Sequence, residues 1–181
     1  MTIHVGKRVS AEGWRAFESD PYLSVTRRRV YARCAPCLES LLAQLTAGAE
    51  TIELGHAWDC WKITVVVPGE DDCWRFLELF EEYYPQEYVY GKFGTGSRER
   101  ATRAVVFHVD TLARRDALLP KVKDCARRIT DAAVQISRGC ANPYERLFGP
   151  WPQWQAKMQL VCRKEAPAVV RYLRRVLYER G

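Results

Sequence analysis

The chain has 181 residues, of which 48% are hydrophobic and 28% are charged, and its formal net charge is +6. This composition excludes an intrinsically disordered chain, and the length allows one domain or two small ones. The apolar runs are far shorter than the ~20 residues that cross a bilayer, and the first residues lack a signal pattern. We therefore predict a cytoplasmic protein with no membrane partner.

Charge and cysteine content narrow the function classes further. Residues 1–93 contain 10 Lys and Arg against 14 Asp and Glu, a balance of −4, whereas residues 94–181 contain 18 against 8, a balance of +10. This asymmetry favours the C-terminal half as the part that meets an anionic partner. The chain has seven cysteines, an odd number, and most fall at predicted core positions. Reduced thiols are therefore expected.

The first half of the chain is predicted to contain an N-terminal extension, residues 1–24, and a βαββαβ unit, residues 25–93. A period of two over residues 26–33 predicts a strand, and a leucine stripe over residues 38–45 predicts a helix. Further elements are predicted in the order strand, strand, helix, strand, over residues 49–54, 61–67, 70–84 and 86–93. Glu70, Asp71 and Asp72 suit the first turn of that helix because its dipole favours negative charge there.

The glycine-rich segment 94–100 is predicted to join this half to a second one, residues 101–181. A strand over 101–109 leads to a helix with Thr111 as its N-cap, followed by a strand over 132–137. An aromatic insertion over 138–155 precedes a strand over 157–163 and a helix over 167–178. The fold class predicted is α+β, with two ferredoxin-like repeats in tandem, βαββαβ and then an incomplete βαββα. Each antiparallel sheet would be covered by helices on one face only.

The open face of the first sheet is the first candidate binding surface. Cations and aromatic rings interleave there, as single-stranded nucleic acid requires for its phosphates and bases. A plain solvated face, or a face sealed against the second sheet, is the alternative interpretation. Arg98 and Arg100 of the glycine-rich segment add cations that suit a phosphate. The predicted face comprises Arg27, Arg29, Tyr31, Arg33, Lys62, Tyr88, Tyr90 and Lys92.

Basic residues also follow the two predicted helices of the second half. The first of these helices carries six Lys and Arg residues, and the last carries Arg171, Arg174, Arg175 and Arg180. Several cations on one surface give strong, salt-dependent binding to phosphates. The alternative is that each run is only a solvated helix face.

Cys34-Ala35-Pro36-Cys37 is the one motif that suits metal or redox chemistry. Thiols at the start of a helix have a lowered pKa, and two on one turn can bind a soft metal or form a redox disulfide. A small core residue is the alternative interpretation of Cys37. A tetrahedral zinc site needs two more ligands, for which Cys60 and His56 are the nearest candidates in the sequence.

The insertion over 138–155 is long for an irregular connection and too aromatic for disorder. It is interpreted either as a lid over a pocket or as a cap on the open end of a small core. The candidate pocket residues are Arg138, Cys140, Tyr144, Glu145, Arg146 and Trp151.

None of the three histidines lies near a nucleophile at a recognised spacing. We therefore predict a protein without catalysis and without a cofactor that binds nucleic acid, RNA before DNA. Two alternatives stay open. One is a protein that binds a soft metal or zinc, or acts in thiol redox chemistry, through Cys34 and Cys37. The other is a subunit of a larger assembly or of a homo-oligomer.

Overall fold

A computed structural model describes residues 2–10, 13–32, 34–95 and 102–178, with only the backbone described at positions 31, 32, 141 and 142. The elements are, in chain order, β1 (His4–Val5), β2 (Trp14–Glu18), α1 (Leu23–Ala32), α2 (Cys34–Thr46), β3 (Thr51–Glu53), α3 (His56–Asp59), β4 (Trp61–Val67), α4 (Glu70–Tyr83), β5 (Tyr90–Gly94), β6 (Arg103–Val109), α5 (Leu112–Ala126), β7 (Ala133–Arg138), α6 (Ala141–Phe148), β8 (Lys157–Gln159) and α7 (Ala166–Tyr178). The α+β class is confirmed. No helix in the described part of the chain is both long and apolar enough to span a membrane.

The chain forms two compact units. Unit 1 comprises Met1–Val30 and Trp61–Ile136, and unit 2 comprises Tyr31–Cys60 and Ser137–Gly181. The units therefore divide the chain near residues 30, 60 and 136, whereas the sequence predicted one division at 94–100. Unit 1 contains 18 Lys and Arg against 15 Asp and Glu, and unit 2 contains 10 against 7, so each carries +3. The charge asymmetry of the two sequence halves is thus not an asymmetry between the units.

Unit 1 is built on a six-stranded sheet with the strand order β1-β2-β5-β6-β4-β7. From β4 to β7 the chain runs βαββαβ, and these four strands lie in the order β5-β6-β4-β7. This connectivity is the split βαβ arrangement of ferredoxin-like folds. Among the described residues it occurs once, and it straddles the two predicted repeats; the predicted tandem repeat is not confirmed. Strands β1 and β2 extend the sheet beyond β5.

The core of unit 1 lies between this sheet and helices α4 and α5. Along β4, burial alternates: Trp61, Ile63, Val65 and Val67 are buried, and the residues between them are half-buried. Both helices pack on β4 and β6. The Phe107 ring lies 5.4 Å from that of Phe80, centroid to centroid. The predicted core face of this strand is confirmed.

The segment predicted as the first strand is helix α1, so that prediction is wrong. Among its described side chains, the fully buried ones are Thr26 and Val30, at 0% and 2% exposure. These residues are four apart, which is the spacing of one helix face and not of one strand face. Arg27 and Arg29 lie on the polar side of the helix. Their spacing of two residues therefore does not indicate a strand face.

Gly94 of the predicted junction, like the nearby Gly91, serves strand pairing instead. Gly91 and Gly94 lie in β5, which pairs with β2 on one side and β6 on the other. A Cβ atom at Gly91 would fall 1.9 Å from the Val106 carbonyl oxygen, and one at Gly94 would fall 2.1 Å from that of Gly13. Only glycine permits backbones this close. Residues 96–101, with the predicted Arg98 and Arg100, lie outside the described residues.

Unit 2 contains helices α2, α6 and α7 and the two-stranded antiparallel sheet of β3 and β8. The insertion predicted as irregular contains α6, and its large side chains form the centre of the core. Tyr144, Leu147, Phe148 and Trp154 are all buried, together with Leu41 of α2. The burial of these side chains fits the interpretation of the insertion as a cap on the core. It does not fit a lid over a pocket. Short helices such as α6 leave little periodicity in a segment rich in Gly and Pro.

A buried carboxyl group lies at the end of β2 in unit 1. Glu18 is 0% exposed, and its Oε1 accepts hydrogen bonds from the Tyr88 hydroxyl and the Arg29 guanidinium. Its Oε2 is buried with no hydrogen-bond partner among the described residues. Burial raises the pKa of Glu18 above its ordinary value of 4.5, and the bonds from Tyr88 and Arg29 oppose the rise only in part. The same burial, with the bond to Glu18, raises the pKa of Tyr88 to about 12.

We predict that Glu18 makes the protein less stable as pH rises from about 4.5 towards neutrality. The folded state holds the Glu18 proton more tightly than the unfolded state, so raising the pH favours unfolding. The free energy of unfolding of the wild type minus that of Glu18→Gln should therefore fall between pH 4 and pH 7. Denaturant titration at several pH values measures it, with exposed Glu78→Gln as the control. A difference that stays constant or grows with pH would contradict the account.

We predict that Gly91→Ala destabilises the protein by about 3 kcal/mol or more, because β5 and β6 must separate to admit the methyl group. The matched control is Gly6→Ala, where a new Cβ would lie 3.4 Å from the Ala16 carbonyl oxygen. That variant should change stability by less than about 1 kcal/mol. The free energies of unfolding from urea titration decide the matter. Equal effects of the two substitutions would show that strand proximity at Gly91 is unimportant.

Candidate nucleic-acid interface

A basic groove lies on the surface of unit 2. Its volume is about 540 Å³, and it is lined by Arg146 of α6 and by residues of α7. The α7 residues are Ala168, Arg171, Tyr172, Arg174 and Arg175.

The amphipathic pattern of α7 explains why these arginines face outwards. Val169 and Leu173 are buried in the core of unit 2, and α7 packs on α2 and α6. Arg171, Arg174 and Arg175 follow the spacing i, i+3, i+4 and are exposed on the opposite face. Arg146, in the last turn of α6, contributes the fourth guanidinium from a different helix. Because the apolar stripe of α7 is buried in the core, the arginines on its other face are exposed next to Arg146.

The electrostatics of the groove are dominated by positive charge. Residues 163–178 contain five Lys and Arg and a single Glu, Glu165. That carboxylate accepts from Arg146, with 2.5 Å between Nη2 and Oε2. Within the described part of the chain, no ion pair engages Arg171, Arg174 or Arg175. Among the described residues the groove therefore carries net positive charge, which attracts anions.

The Tyr172 ring is the aromatic component of the groove. It is half-buried and packs against the core of unit 2, and the Arg175 guanidinium carbon lies 5.9 Å from its centroid. A ring fixed in this way offers a surface for a base, while guanidinium groups can bond phosphate oxygens in pairs.

Helix α5, the other basic helix, differs because several of the cations along it are engaged locally. Lys121 and Arg114 both pair with Glu87, and Arg128 pairs with Asp124 at 3.5 Å. Arg115 lies over the Trp61 ring, 4.1 Å from its centroid. These side chains cross-link unit 1, a role that differs both from the binding interpretation and from the solvated helix face that was its alternative.

The residues predicted for the open sheet face are only partly brought together. Lys62 of β4 and Lys92 of β5 lie on the face opposite the α4 and α5 helices, with His108 and Val106 of β6 opposite them in register. Tyr90 shares this face but is only 8% exposed, and its hydroxyl donates to Asp110 at 2.8 Å. The Lys92 ammonium lies 4.3 Å from the Trp14 ring centroid.

The other members of that predicted face lie elsewhere. Arg27 and Arg29 belong to helix α1, and Arg29 bonds Glu18 and Tyr88. Tyr31 is in the same helix, with its side chain not described, and Arg33 lies outside the described residues. The continuous stripe of cations and rings expected from a strand at 25–33 is therefore wrong.

A smaller cavity of about 220 Å³ lies in unit 1, between the end of β6 and the start of α5. Its polar groups bond one another: Tyr90 donates to Asp110, and Arg114 donates to the Tyr88 carbonyl oxygen at 2.6 Å. These contacts hold the β6–α5 connection in place.

The predicted pocket residues of the insertion serve different purposes. Arg138 lies over the Trp58 ring, 3.5 Å from the centroid, and Trp151 packs against the unit 2 core. Tyr144 is buried and donates to the Cys37 carbonyl oxygen at 3.1 Å. Glu145 and Arg146 are exposed, and Arg146 lines the basic groove. Cys140 is the N-cap of α6.

The predicted cysteine pair does not follow a strand, because helix α1 precedes it. Cys34 and Cys37 lie in the first turn of α2, and Cys37 is buried. All seven cysteines are in the described part of the chain, and no disulfide joins any two of them. Within the same residues, no three His, Cys, Asp or Glu side chains already converge as metal ligands.

The sequence places Arg171, Arg174 and Arg175 on a basic helix but does not by itself distinguish them as a site. What distinguishes them is that no ion pair among the described residues engages them, whereas Lys121 and Arg114 of α5 pair with Glu87. Comparison with family models, curated proteins and solved structures finds no match for the chain.

Proposed function

We propose that the protein binds single-stranded nucleic acid, RNA before DNA, through the basic groove of α6 and α7. The observation that carries the proposal is the set of three exposed arginines on α7 that no described carboxylate neutralises, beside the half-buried Tyr172 ring. A duplex offers its phosphates but hides the faces of its bases. A single strand offers both to a groove that contains cations and a ring.

Arginine suits this role better than lysine. Its planar guanidinium bonds two phosphate oxygens at once, and it also stacks on bases. The spacing of Arg171, Arg174 and Arg175 along one helix face presents several such groups to one strand. Counterions released from the phosphates then favour binding at low salt.

Lys62 and Lys92 of unit 1 make a second, weaker candidate surface. Both lie on one sheet face, as the sequence predicted, but the Tyr90 ring beside them is buried and is therefore poorly placed to stack on a base. We therefore assign the principal contact to the groove of unit 2. The alternative of an assembly subunit stays a prediction that sedimentation at several concentrations tests.

We predict that the triple variant Arg171→Gln, Arg174→Gln, Arg175→Gln binds a mixed-sequence single-stranded RNA far more weakly than the wild type does. The logarithm of the binding constant should also depend less steeply on salt, by about one unit of slope for each phosphate that the variant no longer neutralises. Fluorescence anisotropy at a series of salt concentrations measures both quantities.

The matched control removes the same charge from the same unit: Lys157→Gln, Arg163→Gln, Lys164→Gln. Lys157 and Arg163 pair with Glu53 and Glu50 outside the groove. This variant should keep most of the affinity. If both variants lose affinity equally, the loss is explained by the change in net charge and not by the groove. If the first variant binds as well as the wild type, the groove is not the site. Single-stranded DNA of the same sequence, if bound more tightly, would reverse the preference for RNA.

A further inference from the structure

The smaller cavity of unit 1, between the end of β6 and the start of α5, combines a buried apolar lining with a polar mouth. Val89, Val109 and Leu118 line it and are only 2%, 4% and 2% exposed. Asp110 and Thr111 line it as well, and both are exposed to solvent. A cavity with this division suits a ligand that has an apolar body and a polar end.

The volume of the cavity limits the size of that ligand. At about 30 Å³ for each molecule of liquid water, the 220 Å³ of the cavity correspond to roughly seven waters. Pockets for drug-sized ligands are larger, at roughly 300–1,000 Å³. Tyr90 and His108, on strands β5 and β6, also line the cavity and are buried. The ligand is therefore one compact molecule.

Arg114 supplies the positive side of the mouth. Its Nη2 donates to the Tyr88 carbonyl oxygen at 2.6 Å and lies 3.1 Å from Oε2 of Glu87. Lys121 pairs with the same carboxylate, so these three charged groups leave one positive charge. A guanidinium has five N–H donors and both contacts of Arg114 use Nη2, so donors remain for the oxygens of a carboxylate.

Asp110 supplies the negative side of the mouth. Its Oδ1 accepts from the Tyr90 hydroxyl at 2.8 Å, and this neutral donor orients the carboxylate without removing its charge. A carboxylate accepts up to about four hydrogen bonds, so an ammonium group can bond it beside Tyr90. A ligand with a carboxylate alone would meet repulsion from Asp110, and one with an ammonium alone would meet repulsion from Arg114. A molecule that carries both charges suits the mouth best.

We propose that this cavity binds a free α-amino acid with an apolar side chain. The ligand's carboxylate bonds Arg114 and the Thr111 hydroxyl, and its ammonium bonds Asp110. The side chain of the ligand packs on Val109 and Leu118. Thr111 Oγ1 accepts from the Arg114 backbone N–H at 3.1 Å, so these groups are already held together at the start of α5. Little ordering is then needed when the ligand binds.

The site lies in unit 1, whereas the basic groove lies in unit 2. Amino-acid binding is measured without RNA. Its failure would therefore leave the proposed RNA binding untouched.

The test uses the full chain, with L-leucine as the probe. Isothermal titration calorimetry should show one L-leucine bound per chain, and millimolar L-leucine should raise the melting temperature because it binds the folded state. Two analogues separate the charged groups: L-leucinamide lacks the carboxylate, and 4-methylpentanoate lacks the ammonium. Each should bind at least about 10-fold more weakly than L-leucine, because each loses one charge-assisted contact.

Two variants should respond to the analogues selectively. Arg114→Gln should weaken L-leucine binding by about 10-fold or more without weakening L-leucinamide, which has no carboxylate to lose. Asp110→Asn should weaken L-leucine binding similarly without weakening 4-methylpentanoate. The matched control is Lys123→Gln, which removes a charge from an exposed position of α5 outside the cavity and should keep the wild-type affinity.

Circular dichroism of the variants separates loss of binding from loss of fold. Asp110→Asn keeps an acceptor for the Tyr90 hydroxyl, so it serves if Arg114→Gln does not fold. A wild type that gives neither heat of binding nor a melting shift with L-leucine, L-valine or L-phenylalanine would overturn the proposal. Analogues that bind as tightly as L-leucine would overturn it too, as would variants of Arg114 and Asp110 that keep the wild-type affinity.

Discussion

The hydrogen bond from the buried Tyr144 hydroxyl to the Cys37 carbonyl oxygen is the contact on which unit 2 depends. A buried hydroxyl without a partner costs about 1–3 kcal/mol, so the bond fixes α6 against the first turn of α2. The Tyr144 ring also packs on Trp154 and Phe148, with centroids 5.8 Å and 6.1 Å away. Since α7 packs on both α2 and α6, the position of Tyr144 also sets where Arg146 and the arginines of α7 meet.

The two basic helices show why the number of cations is a poor guide to a binding surface. Several cations of helix α5 form ion pairs or lie over rings, as Arg114 does with Glu87 and Arg115 with Trp61, and these contacts stabilise unit 1. Within the described part of the chain, no ion pair engages the arginines of helix α7. An anion must compete with existing partners at α5, whereas at α7 it meets side chains already directed to solvent. The functional difference lies in the acidic residues nearby.

Much of the local structure is predictable from the sequence, because burial on one face leaves a strong period. Strand β4 matches the strand predicted at residues 61–67, and the N-cap Thr111 accepts from the Arg114 N–H as expected. The topology is not predictable in this way, because strand pairing depends on contacts between distant residues. From the sequence, Gly91 and Gly94 are compatible with two different interpretations: a flexible junction, or a close approach of neighbouring strands. Only the neighbouring strands decide between them.

The candidate sites are predictable to a smaller extent. The Cys34–Cys37 pair stands out in the sequence as a candidate for metal or redox chemistry, but within the described residues no three potential metal ligands converge. Glu18 gives no signal at all, because a carboxyl group at the end of a short strand is usually exposed. Helix α1 leaves only a weak helical period in the sequence. Its charged residues outnumber Thr26 and Val30, the described positions whose burial marks its packed face.

The central claim is that single-stranded RNA occupies the groove of α6 and α7, and photochemical cross-linking tests it most directly. A uridine-rich RNA oligonucleotide would be irradiated with the full-length protein, and the cross-linked peptides would be identified by mass spectrometry. The account predicts cross-links within residues 166–178, centred on Tyr172, where a base can stack. Cross-links confined to unit 1, for example at Trp14 or Tyr90, with none in α7, would contradict it.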